Sequence, residues 1–150
     1  MPSFPLQSLY GLPLETVQGW IRASANFHAF SSSDTIYVYE RIGGPELAAG
    51  DGWAVVGWKE KEHLYRRTGV GPGLANFDAD RTVAVHFVKA VAVATQDQVI
   101  GLINQIGAIV QEIIDNPDAV ILSAIRLVSV GIDEATDPIL LGAELELEFV

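Results

Sequence analysis

The last nine residues, GAELELEFV, alternate without a break between an apolar and an acidic side chain. Ala143, Leu145, Leu147 and Phe149 point one way, and Glu144, Glu146 and Glu148 point the other. Period two is the signature of a β-strand with one dry and one wet face. A strand of that kind requires neighbours to pair with and a layer to cover its apolar side. The glutamates are tolerable on the wet side. Neighbours two positions apart on one strand lie roughly 6.8 Å from each other, so each pair repels by only about 0.6 kcal/mol in water.

Upstream, a second pattern supplies the covering layer. Residues 95–116 carry isoleucine, leucine and valine at helical spacing, from Val99 to Ile114. Thr95 with Gln98 three residues on forms a capping box, Asp97 suits the helix N-terminus, and Asn116-Pro117 ends the run. A first helix is expected over residues 13–27, opened by Pro13 and with Leu14, Val17 and Ile21 on one face. Strands are expected over 35–42, 52–65, 80–94, 121–132 and 142–150. Residues 80–94 are apolar on both faces, which predicts a central strand covered on both sides. Residues 43–52 and 68–80 read as glycine-rich loops, and 1–12 as an extended apolar arm. The order arm-α-β-β-β-α-β-β predicts a single α+β domain over 1–150, a mostly antiparallel sheet with two helices packed on it.

Charge is unevenly distributed. The chain carries a net −10, and residues 111–150 hold nine of its nineteen acidic side chains but one basic one, Arg126. Residues 59–67, KEKEHLYRR, hold four of the nine basic ones: Lys59, Lys61, Arg66 and Arg67. Such a surface repels nucleic acid and anionic membranes by default. It also offers complementary patches that meet when copies assemble. No apolar run is long enough to span a membrane, and residues 1–10 lack the charged and apolar regions of a secretory signal. These features predict a protein used in the cytoplasm or in a particle assembled there.

Chemistry is weakly represented. The absence of cysteine removes thiolate metal sites and a cysteine nucleophile. His28, His63 and His86 have no helical zinc spacing, the serines at 31–33 lack a nucleophile elbow, and residues 69–73 are not a phosphate loop. The sequence therefore predicts no catalytic residue, no metal and no cofactor. A small ligand-binding or enzymatic domain with a site near His86 and Trp58 stands as the alternative.

The layout from Asp80 onward resembles the tail-terminator (tail-completion) proteins of long-tailed bacteriophages. The matching pieces are residues 81–88, 95–118 and 142–150, with the first helix and the strand at 35–42 in corresponding places. That resemblance implies a hexameric ring that stops tail-tube growth and joins the tube to the neck of the capsid. It implies a virion protein assembled in the host cytoplasm, with a tail-tube protein and a neck (head-completion) protein as partners, and DNA passing through the channel unbound. In such a ring Glu144, Glu146 and Glu148 would face the lumen. Lys59, Lys61, Arg66 and Arg67 would meet the acidic face of the next subunit. A different ring-forming connector or tail-tube subunit is the nearest variant of this reading.

Overall fold

The computed structural model describes residues 12–31, 36–38, 50–59, 65–67, 69–72, 77–79, 82–134 and 138–149. Residues 1–11 of the expected arm, Lys61 and most of the 43–52 loop lie outside them, and Leu12 opens the first helix instead. The fold is α+β. Helices α1 (Leu12–Ala23) and α2 (Ala25–Phe30) precede strands β1 (Ile36–Val38), β2 (Gly52–Trp58), β3 (Tyr65–Arg67), β4 (Phe77–Ala79) and β5 (Thr82–Val91). Helix α3 (Gln96–Asp115), a 3-10 turn (Pro117–Ile121), β6 (Leu122–Asp133) and β7 (Ile139–Phe149) complete the chain. The main sheet runs β1-β2-β5-β7-β6 and is antiparallel except for the β1-β2 pair, while β3 and β4 form a separate antiparallel pair.

Register follows the alternation. Val83, Val85 and Phe87 of β5 stand opposite Leu147, Leu145 and Ala143 of β7, and opposite Trp58, Val56 and Ala54 of β2. These side chains form one buried face. Onto it α1 sets Leu14, Val17, Trp20 and Ile21, α2 sets Phe27 and Phe30, and α3 sets Leu102, Ile106, Ile109 and Ile113. The Phe30 ring meets Phe87 edge-on at 5.8 Å, and Trp20 stacks on Phe149 at 6.2 Å. The four α3 side chains alone contribute about 6–12 kcal/mol before entropy.

Three local expectations are corrected. The first helix is two helices. Ser24 leaves the helical region at φ −73, ψ 120, and its side chain accepts a hydrogen bond from Phe27 N. The expected 52–65 strand is β2 only as far as Trp58 among the described residues, residues 60–64 lie outside them, and Tyr65–Arg67 pairs with Phe77–Ala79, inside the expected 68–80 loop. Strand β5 is central but covered by the described helices on one side only. His86 on its other side is exposed, although Ala84 beside it is buried.

The described helices leave part of the sheet's edge strand exposed. Helix α1 packs on β1, β2 and β5, and α3 packs on β7. Strand β6, the edge, is covered only in part: Leu122, Ile125 and Val130 pack against the core. Leu127 and Ile132 stand opposite Leu145 and Leu141, on the helix-bearing side, yet both are exposed.

Candidate functional site

The glutamate row lies on the face opposite the described helices, and each member has a basic side chain across a strand boundary. Glu144 is paired with His86 in the β5-β7 register, with His86 Nε2 3.8 Å from its Oε1. Glu146 sits between Lys59 Nζ at 3.3 Å and Arg126 Nη1 at 3.9 Å. Glu148 accepts a hydrogen bond from Arg126 Nη2 at 2.7 Å. Arg126, the lone base in the acidic C-terminal segment, is thus shared by two glutamates. Its hydrogen bond with Glu148 holds the guanidinium's pKa above its ordinary value. The backbone supports the arrangement: Lys59 N donates to Thr82 O at 3.0 Å, which extends the β2-β5 ladder one residue and brings the lysine alongside β7.

The result is a ladder in which two cations and a histidine stand among three carboxylates, rather than a bare acidic face. Glu146 is only 5% exposed and is not a wet residue. A carboxylate buried to that extent needs partners, because an unpaired buried charge is costly. Sequence reasoning missed this pairing. The alternation shows which residues share a face, but not which strand lies beside which.

The basic segment is divided by the fold. Lys59 faces Glu146 of its own chain. Arg66 and Arg67 lie on β3, away from the main sheet, and Lys61 is outside the described residues. The Arg67 guanidinium folds over the following turn, donating to Gly69 O at 3.4 Å and Gly71 O at 3.1 Å. Gly71 has φ +111, a backbone conformation suited to glycine. Val70 at the tip of this turn is 98% exposed.

A second surface has no counterpart in the sequence reading. The two flanks of α3 differ. On one, Gln105 Oε1 accepts from Lys89 Nζ at 3.0 Å, and Glu112 accepts from the Ala25 and Asn26 amides. On the other, Ile100, Ile103 and Ile114 are exposed. Where that flank meets the 3-10 turn and β6 there is an apolar recess of about 630 Å³, lined by Val110, Ile114, Pro117, Val120, Leu122 and Ile125 among others. Asp115 is in the lining and Asp118 in the adjoining 3-10 turn. The wide isoleucine stripe at 99–114 was the available signal, since it exceeds what one sheet contact needs.

His86 and Trp58 are not brought together. Trp58 is in the helix-covered core and His86 is on the opposite face. Among the described residues no three histidine, aspartate or glutamate side chains are grouped to hold a metal ion. No helix among them is long and apolar enough to cross a membrane. No protein-family model matches this chain, and no curated protein matches it.

Proposed function

We propose that this chain is a structural virion protein, a tail terminator of a long-tailed bacteriophage, acting as a hexameric ring between tail tube and capsid neck. The observation that carries the reading is the incomplete helix layer. A twelve-residue edge strand, β6, leaves Leu127 and Ile132 of its apolar face exposed, and the exposed flank of α3 adjoins the strand's first residues. Open edges and contiguous apolar patches are features that assembling proteins cover with a neighbour. The order β5, α3, β6, β7 supports it further, since it realises the layout on which the resemblance rests.

In this reading the sheet face opposite the described helices lines the channel. Lys59 and Arg126 are already held by carboxylates. Such cations gain little by exchanging for DNA counterions, so phosphates slide past a face that is near neutral to acidic. The subunit needs no reactive group, and its contribution is shape and charge. Light scattering on the purified chain, alone and with tail tubes, tests the assembly. A sixfold mass, alone or on the tube, is expected. A monomer or dimer under both conditions rejects the ring.

A further inference from the structure

The molecule carries both halves of a knob-and-recess contact. The knob is the 69–72 turn. Its Val70 is almost fully exposed, and Arg67 beneath it ties the Gly69 and Gly71 carbonyls, so the tip is held in shape before any partner arrives. The recess is the apolar hollow between α3, the 3-10 turn and β6, lined by the exposed Val120 and Ile114 and by Asp115, with Asp118 in the adjoining turn. The apolar tip matches the apolar lining, and the cationic base matches Asp115 and Asp118.

We propose that the 69–72 turn of one copy seats Val70 in the α3-β6 recess of the next, with Arg67 facing Asp115 and Asp118. Two different surfaces of one molecule that fit each other form a head-to-tail contact, which closes into a ring when the rotation permits. Charge disfavours the simplest rival. A two-fold dimer joining recess to recess would set Asp115 and Asp118 of one copy against the same two carboxylates of the other, with no cation between them in the recess lining. The exposed remainder of the shelf, Leu127 and Ile132, extends the contact toward the roughly 800 Å² per partner that a specific interface buries. The proposal deepens the ring reading and rests on it, by naming which surfaces meet.

The full-length chain tests it directly. Val70→Asp puts a carboxylate into the recess beside two others, and Val70→Ile keeps the apolar tip. The association constant of V70D, read by light scattering across a dilution series, is expected to fall by about 10- to 100-fold, the equivalent of one lost buried valine. V70I is expected to assemble as wild type. Because Val70 is exposed, circular dichroism of V70D should be unchanged. The chain has no cysteine, so V70C and V120C chains mixed under mild oxidation report the pairing. A mixed V70C–V120C disulfide supports the contact. V120C homodimers, no cross-link, or wild-type assembly by V70D each overturn it. The ring reading fails separately, when the wild-type chain forms no sixfold mass.

Discussion

Glu112 joins the two ends of the helical layer, and removing its carboxylate is the sharpest test of how the layer is held. Ser24 breaks the first helix, which leaves the first amides of α2 without intrahelical acceptors. Glu112, 87 residues further along, supplies them: Oε2 accepts from Ala25 N at 2.8 Å and Oε1 from Asn26 N at 3.0 Å. The Asn26 side-chain amide donates to the same oxygen, and the Ser24 side chain also hydrogen-bonds the carboxylate. Desolvation alone would raise the pKa of this carboxyl. The hydrogen bonds from Asn26, Ser24 and Ala25 outweigh it and hold the group below the ordinary glutamate value of 4.5. The site is open to solvent, so the loss in Glu112→Ala is that of a helix cap rather than of a buried ion, about 1–2 kcal/mol. With a urea slope of about 2 kcal/mol/M, the midpoint falls by about 0.5–1 M at pH 7. The sign with pH follows from linkage. A carboxyl whose folded pKa is depressed contributes its stability above the unfolded value and loses it as pH falls through the folded one. The gap between wild type and E112A is therefore full at pH 7 and narrows once the pH drops below about 4.5. Urea titrations at pH 7 and pH 3.5 measure it. Equal midpoints at pH 7, or a gap that stays constant or widens in acid, would refute the role given to Glu112.

Three further variants probe other parts of the structure. A Cβ on Gly52 would sit 2.5 Å from Phe30 Cε1 and 2.9 Å from Val88 O, so Gly52→Ala should cost about 1–3 kcal/mol by overpacking, read as a lower melting temperature. Glu146→Lys places a third cation between Lys59 and Arg126 in a site 5% exposed. It should destabilise by about 3 kcal/mol or more in chemical unfolding, whereas lysine at Glu144 and Glu148 leaves folding nearly intact. That contrast makes the E144K/E148K pair the proper probe of the channel face. Rings should still form, and DNA ejection should slow; ejection at the wild-type rate would remove these two residues from the lumen.

Local signals in the sequence were reliable where the cause was local. The Thr95 cap is an example: its Oγ1 accepts from Gln98 N at 3.3 Å, as the spacing predicts. The alternation of β7 likewise placed Leu145 and Leu147 in the core. The break at Ser24 was not legible, because the apolar face runs on through Phe27 and the acceptor that stabilises the second helix comes from a distant residue. The charge ladder was hidden for a related reason. Glu144, Glu146 and Glu148 were recognised as one face, yet their partners come from β2, β5 and β6, and strand order is not written in any one strand. Residues 80–94 suggested cover on both sides, since Ala84 and Val88 are apolar in composition, but small residues beside a charge ladder need no helix over them. The exposure of Leu127 and Ile132 on β6 was not legible either, because it depends on which strand stands at the sheet's edge.

The central claim is that this chain ends tail growth as a ring. Electron microscopy of tails assembled with and without it is the direct measurement. Tails of uniform length with the chain, and overlong, uncapped tubes without it, are the predicted result; tails of the same length in both preparations would contradict the account.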